Sequence, residues 1–378
     1  MQRETEQRLA AEALDRIERR AVPQADSTMV IDGARYTAAA ALAAENAALF
    51  RRHPLVVALG CELPEPGSYL TFDIAGVPVL LVRDDEGAVR GLLNTCRHRG
   101  ARLLSGGGKV GKAFACPYHG WAYDRCGVLR ALPGSEHFPE VDVDDTRLMQ
   151  FPTEEHEGLV WMLLNPSASR VPDPGLGALG PELGSYRLSG HTHRGSHAWT
   201  KRMNWKLGVD TFLELHHVAV LHRKTIAKTV LKSAFLYEPF GRHARLVAPR
   251  RSIEEQRGND PTDWRLVPHA TVIYRLFPNA ILISQGPHME LYRFFPYAEQ
   301  PGTTECRMTL SSPADEGCGR DWDEALQLAL GVLDREDFAM MESVQSNLAA
   351  GLQREVMFGR NEIGLQNFHR VRDAALAE

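Results

Sequence analysis

The chain has 378 residues, 44% hydrophobic and 24% charged, with a formal net charge of −5. Those figures describe an ordinary globular protein of about two domains and exclude a basic nucleic-acid surface or an acidic tail. No apolar run approaches the ~20 residues of a membrane span, and the charged start, Met1 to Arg8, leads into no signal-peptide core. The expectation is a soluble cytoplasmic protein with neither nucleic acid nor membrane among its partners.

In chain order, residues 2–20 are predicted to form a charged amphipathic helix and the alanine-rich stretch 36–52 a second, making 1–45 an N-terminal helical segment. From Ser68 the pattern changes to short strands at 69–74, 79–82 and 88–93, the last two joined by the turn Asp84-Asp85-Glu86-Gly87. This β-rich region, taken as a domain over 46–165, ends with the strand-like run Gly158 to Leu164. A Pro/Gly/Ser-rich stretch from Pro166 to Ser185 reads as a linker to a second domain over 186–378. That domain opens with a strand over 190–203 and a helix from Trp205 to about Leu221. Strands follow near 243–249, 269–285, 288–296 and 304–311, then a long helix over 321–350. Antiparallel strands with helices on one side make the fold class α+β.

Two segments in the β-rich region carry chemistry: Cys96-Arg97-His98-Arg99-Gly100 and Cys116-Pro117-Tyr118-His119-Gly120-Trp121. A Rieske-type [2Fe–2S] cluster needs two thiolates on one iron and two imidazoles on the other. Two loops that each offer Cys and His can clasp it from both sides, with Gly100 and Gly120 where the backbone must turn. The competing reading is a Cys2His2 zinc site, though zinc fingers group cysteines in one arm and histidines in the other. The remaining cysteines, Cys61, Cys126, Cys306 and Cys318, read as free thiols in a reducing compartment. Gly106 to Lys112 mimics a P-loop, but Ala113 replaces the Ser/Thr that would bind Mg²⁺, so it reads as a glycine-rich turn.

The second half holds another cluster. The helix predicted from Trp205 is apolar nearly all round, yet it carries Asp210, Glu214, His216, His217 and His222. Unpaired buried charge is costly, and a metal ion is an economical partner. Non-haem Fe(II) sites use two histidines and one carboxylate and leave positions open. If 217 and 222 both served as ligands, they would lie about 140° apart on an ideal helix, and the helix would have to unwind or bulge before His222. In the long helix Leu326, Leu330, Leu333, Met340 and Val344 form an apolar stripe with one gap, filled by Asp337. A carboxylate there needs a cation or several donors; Asp334 and Glu336 fall off the stripe and are expected to face solvent.

The stretches Asn94 to Leu103 and Cys116 to Asp124 resemble the Rieske domain of the non-haem iron ring-hydroxylating oxygenases, alpha (terminal oxygenase) subunit. Respiratory Rieske proteins carry a further cysteine in each loop; Ala101 and Tyr118 stand in those places here. The resemblance implies an all-β Rieske domain binding the cluster through Cys96, His98, Cys116 and His119, and a helix-grip (START-like) catalytic domain. The family pattern of an acid, two residues, His, four residues, His matches Glu214, His217 and His222, and selects His217 over His216. Glu336-Asp337, followed by Glu342 to Gln345, resembles the third-ligand segment, so mononuclear Fe(II) is assigned to His217, His222 and Asp337. Glu214 is implied to bridge His119 of one chain to His217 of its neighbour in a homotrimer, with Asp210 supporting Glu214 or a ligand.

The implied activity is oxidation of an apolar, aromatic small molecule by O2, through hydroxylation or oxidative demethylation. Electrons would come from NAD(P)H through a separate reductase, with or without a ferredoxin. Chain length favours an α-only homotrimer and monooxygenation over dihydroxylation. The alternative is an electron-transfer iron–sulfur protein without oxygenase activity. Expected cavity walls are Phe212, Leu213, Val218, Ile281, Ile283, His288 and Tyr292, with His288 and Arg293 as candidate carboxylate binders. No aromatic cage for a quaternary ammonium can be assembled, and His369 reads as structural.

Overall fold

The computed structural model describes residues 1–231, 234–314 and 320–378, so Cys318 lies outside the described residues. Cys61, Cys126 and Cys306 are free thiols. No helix is long and apolar enough to cross a membrane among the described residues.

The first helix, Arg3–Arg19, buries Leu9, Ala10, Ala13 and Leu14 in a core shared with Leu236, Val247, Ile253 and Leu266 of the C-terminal half. Its buried Glu6 accepts the backbone N–H of Leu266 and of Val267, both at 3.0 Å, which ties the N-terminus to that half. The second predicted helix is broken into Ala34–Thr37 and Ala39–Glu45, continued by a π turn over Asn46–Phe50. The carbonyl of Tyr36 is taken by the side-chain amides of Asn204 (3.1 Å) and Gln345 (3.2 Å), so it is not free to continue the ladder.

The β-rich region contains three small antiparallel sheets. Five strands run in the order Gln150–Phe151, Val89–Leu93, Val77–Arg83, Ser68–Ile74, Gly107–Lys109. Three more, Ala113–Ala115, Ala122–Asp124 and Leu129–Ala131, carry the second cluster loop between the first two. The third sheet pairs Leu159–Met162 with Thr153–His156 and with Leu55–Leu59, a fully buried strand that the sequence reading had passed over. A continuous apolar run without alternation marks a strand buried on both faces.

The stretch 166–185 is only partly a linker. Leu179–Gly184 forms a helix that buries Leu179 and Leu183 and sets Glu182 in a buried ion pair with Arg245.

The C-terminal half is a seven-stranded antiparallel sheet in the order His191–Lys201, Thr304–Pro313, Met289–Pro296, Ala280–Ser284, Ala270–Leu276, His243–Pro249, Leu236–Phe240. The helix Trp205–Asp210 and the long helix from Trp322 to Ala349 share an apolar core with this sheet. The long helix contains a π turn over Leu333–Phe338. Its extra residue shifts the register, so Phe338, Gln345 and Leu348 point inward and Met340, expected on the stripe, is 46% exposed.

The other helix ends far earlier than expected, at Asp210 rather than Leu221. Beyond it Glu214 folds back, and its carboxylate accepts the backbone N–H groups of His216 and His217. A side chain that satisfies local backbone donors offers an alternative to the helical ladder. A short 3-10 turn, His217–Ala219, replaces the helix.

Candidate metal centres and cavity

The two cluster loops are built alike. Cys96 N–H bonds the carbonyl of Ala101 (2.8 Å) and Gly100 N–H that of Cys96 (3.0 Å); Cys116 N–H bonds Trp121 (2.8 Å) and Gly120 N–H bonds Cys116 (3.0 Å). Gly100 and Gly120 share φ = 76°, a left-handed conformation that a side chain would strain. Both cysteines are buried, and the imidazoles of His98 and His119 stand with ring centroids 4.6 Å apart. His98 stacks on Trp121 at 5.0 Å, and its Nδ1 is buried with no hydrogen-bond partner among the described residues. An orphaned ring nitrogen beside two buried thiols is the donor set a Rieske cluster requires. Tyr123 OH supports the first loop, 3.4 Å from Cys96 Sγ and 3.0 Å from the N–H of Arg97.

In the second half, ligand atoms of His217, His222 and Asp337 all lie within 4.8 Å of one another. Asp337 Oδ1 is 3.2 Å from His222 Nε2 and 3.6 Å from His217 Nε2, and it accepts from Thr211 Oγ1 at 3.1 Å. The far nitrogen of each ring is held by another carboxylate: His217 Nδ1 by Glu214 and His222 Nδ1 by Glu336. Carboxylates behind both rings fix the tautomers and aim both Nε2 lone pairs at one point. Burial opposes ionisation of Glu214, but bonds from His217 and the two backbone N–H groups outweigh it and hold its pKa below the usual range. Two histidines and one carboxylate fit Fe(II) with open positions.

Glu336 is therefore not solvent-facing, as periodicity suggested; it also accepts from Thr225 Oγ1 at 2.9 Å. Asp334 does lie outward, paired with Lys201. Asp210 has different partners from those expected: Tyr36 OH at 2.7 Å and His369 Nε2 at 3.4 Å, rather than Glu214 or an iron histidine. His369 is fully buried in this structural network. His216 lies edge-on to Phe235 at 6.0 Å, its Nε2 buried and without a hydrogen-bond partner among the described residues, away from the cavity wall. Within the single chain no hydrogen bond joins His119 to Glu214 among the described residues; His119 is exposed.

Beside the three convergent donors opens a cavity of about 540 Å³. Phe212, Val218, Ile283, His288 and Tyr292 line it as expected; Leu213 and Ile281 do not, being packed in the core behind it. Arg293 does not reach it either, because its guanidinium is buried against Glu62 at 3.0 Å and the carbonyl of Val57 at 2.7 Å. The sequence reading missed Arg250, Gln285 and Glu290, which give the cavity a polar end. The one local signal for Arg250 was a cationic pair, Arg250-Arg251, directly after an entirely buried strand.

The fold and the two donor sets define a protein with a Rieske [2Fe–2S] domain joined to a mononuclear non-haem iron domain. Residues 53–151 match the model of the Rieske [2Fe-2S] domain, and residues 188–378 that of the ring hydroxylating alpha subunit (catalytic domain). The chain belongs to the ring-hydroxylating alpha subunit family. It is 34% identical over 193 residues to the carnitine monooxygenase oxygenase subunit of Escherichia coli (strain K12), covering 50% of each chain. With the biphenyl 2,3-dioxygenase subunit alpha of Rhodococcus jostii (strain RHA1) the identity is 31% over 197 residues, 50% of this chain and 42% of that one. The chain thus spans about half the length of the curated relatives it matches. Its fold is similar to that of the quaternary ammonium Rieske monooxygenase CntA in complex with L-carnitine, with a TM-score of 0.77, 22% identity, and 92% and 94% of the two chains covered. It is similar also to naphthalene 1,2-dioxygenase from Rhodococcus sp. bound to indole, with a TM-score of 0.76, 21% identity, and 92% and 95% covered.

Proposed function

We propose that this chain is the terminal oxygenase component of a multicomponent Rieske oxygenase, acting on a small molecule with a substantial apolar part. The observation that carries the reading is the convergence of His217, His222 and Asp337 within 4.8 Å beside the cavity. The domain division at 46–165 and 186–378 follows the same reading.

Cys96, Cys116, His98 and His119 would hold the cluster, and His217, His222 and Asp337 the Fe(II). When bound, these groups supply one-electron transfer and O2 activation. The chain's own residues orient and enclose. Glu214 and Glu336 keep the Nδ1 protons of His217 and His222 and turn both rings toward Asp337. Phe212, Val218 and Leu333 exclude water from the space beside them. Overall, a substrate C–H, O2, two electrons and two protons become C–OH and water; hydroxylation of an N- or O-methyl carbon would release the methyl group as formaldehyde.

All strand pairs among the described residues are antiparallel, unlike the parallel sheet of a dinucleotide-binding domain. A separate NAD(P)H-dependent reductase, with or without a ferredoxin, is the fitting electron source. Such a system belongs in the cytoplasm. A homotrimer in which Glu214 of one chain meets His119 of the next would give the electron a short imidazole–carboxylate–imidazole path. Asp210, pinned by Tyr36 and His369, would hold the helix end that delivers Glu214.

The test is iron and acid-labile sulfide per chain on anaerobically purified protein, with an EPR spectrum after dithionite reduction. About three irons and two sulfides, with the low average g of a histidine-ligated cluster, are expected. Two irons, with no third taken up from added Fe(II), would favour a non-enzymatic electron carrier.

A further inference from the structure

The cavity has two chemically different ends. At the donor end Phe212 and Tyr292 face each other with ring centroids 4.9 Å apart, and Val218 and Leu333 close the wall. Alternate residues of a strand share a face, so Tyr292 and Glu290 of Met289–Pro296, continued by His288 just before it, lead away from that end over about 13 Å. His288 lies at the hairpin turn, where its carbonyl accepts the N–H of Gln285 at 3.0 Å.

Arg250 enters the cavity at this far end. Its Nη2 donates to Thr271 Oγ1 (3.3 Å), to the carbonyl of Gln285 (3.0 Å) and to Gln285 Oε1 (2.9 Å), all neutral acceptors. Other buried cations of the chain meet carboxylates: Lys206 pairs with Glu45 at 2.8 Å, Arg293 with Glu62 at 3.0 Å, and Arg245 with Glu182. Among the described residues Arg275 also lacks one, but it is bonded to Asn367 and the carbonyl of Arg242 and does not line the cavity. No ion pair joins Arg250 to a carboxylate among the described residues. Glu290, the acid whose field it feels, already accepts from His288 Nε2 (3.0 Å) and Tyr292 OH (2.8 Å). Burial lowers the Arg250 pKa, Glu290 offsets this only in part, and the cation of Arg320, which also lines the cavity, lowers it further. A half-buried guanidinium without a counter-ion is costly unless a ligand supplies the anion, and its planar fork matches a carboxylate.

We propose that the cavity takes an amphiphilic anion, an aryl or alkyl carboxylate held by Arg250 with its apolar end beside His217, His222 and Asp337. The proposal rests on the oxygenase reading above. It also separates this cavity from one built for a quaternary ammonium, which needs several aromatic faces. Among the described lining residues Phe212 and Tyr292 are the only Phe, Tyr or Trp rings.

The experiment is equilibrium calorimetry on the full, iron-counted protein with three matched series. Phenylacetate, 3-phenylpropanoate, 4-methoxybenzoate and hexanoate are compared with their primary amides and with the corresponding trimethylammonium compounds. At least one carboxylate is expected to bind roughly 10- to 100-fold more tightly than its amide. Arg250→Gln should bring that ratio near one without weakening the amide, and Arg250→Lys should keep part of it. No carboxylate preferred over its amide, a preference for the ammonium series, or a preference that survives Arg250→Gln would overturn the proposal. Binding needs no turnover, so the outcomes separate. Carboxylate binding without product would count against the oxygenase reading alone, and turnover indifferent to the carboxylate against the Arg250 assignment alone.

Discussion

Glu336 accepts a hydrogen bond from Nδ1 of His222, the ring whose Nε2 stands 3.2 Å from the neighbouring Asp337. Two successive acids of one helix therefore take the two nitrogens of one imidazole. Successive residues stand about 100° apart on an α-helix and diverge. Here they belong to the π turn Leu333–Phe338, whose wider winding keeps both acids turned toward the site.

Removing the carboxylate behind His222 should loosen the metal without touching the cluster. Glu336→Gln is expected to lower Fe(II) affinity about 10- to 100-fold. Anaerobic Fe(II) titration monitored by equilibrium dialysis measures this directly, with the visible cluster spectrum as the internal control. Wild-type affinity would show that Thr225 and packing alone orient the ring.

The two donor sets should fail independently. Asp337→Ala is expected to keep the cluster spectrum and abolish oxygenation, and Cys96→Ser to lose the cluster. Product formation by the first variant, or an unchanged visible spectrum in the second, would refute the corresponding assignment.

Gly208 lies where the helix Trp205–Asp210 crosses the sheet, and a Cβ there would collide with Cδ1 and Cε1 at the ring edge of Phe294, which is fully buried. Phe294 also packs near Phe338 of the long helix, with ring centroids 6.4 Å apart. Gly208→Ala should therefore cost about 1–3 kcal/mol through overpacking. Denaturant midpoints of variant and wild type would read the loss, and an unchanged midpoint would mean that the helix can move away freely.

His243 predicts a pH dependence of stability. Its Nε2 bonds the carbonyl of Pro174 at 2.8 Å and its Nδ1 accepts the N–H of Phe277 at 3.2 Å, an arrangement that needs the neutral ring. Burial lowers its pKa to about 4. The unfolded chain takes up this proton near pH 6.5 and the folded chain does not. Stability therefore falls as pH drops from about 6.5 to about 4, by up to about 3 kcal/mol. His243→Gln should show a shallower slope than wild type in urea unfolding at pH 7 and pH 5; equal slopes would exclude this histidine as the source.

How much of the site was legible depended on sequence separation. The cluster loops were readable because each packs its Cys, His and Gly into a few residues whose backbone bonds close locally. Asp337 was found as a polar interruption of an apolar stripe, but the same α-helical ruler misplaced Met340 and Glu336, because a π turn shifts every later residue. The helix expected to reach Leu221 failed for a related reason. Its apolar composition said "buried", which a loop capped by Glu214 satisfies as well as a helix does.

Residue types and their spacing were enough to specify the chemistry available: two thiols and two imidazoles in paired loops, two more histidines and an acid in an apolar stretch, and hence the family. Short-range spacing suffices where the ligands lie on one turn of chain. Packing between distant segments sets which carboxylates stand behind which imidazoles, and pairs Arg293 with Glu62 while Arg250 faces the cavity. Both arginines follow or lie within buried strands, and apart from the pairing of Arg250 with Arg251 local pattern does not distinguish them. The difference lies in what the rest of the sheet and the neighbouring domain place opposite each guanidinium, and that is set by contacts between residues far apart in the chain.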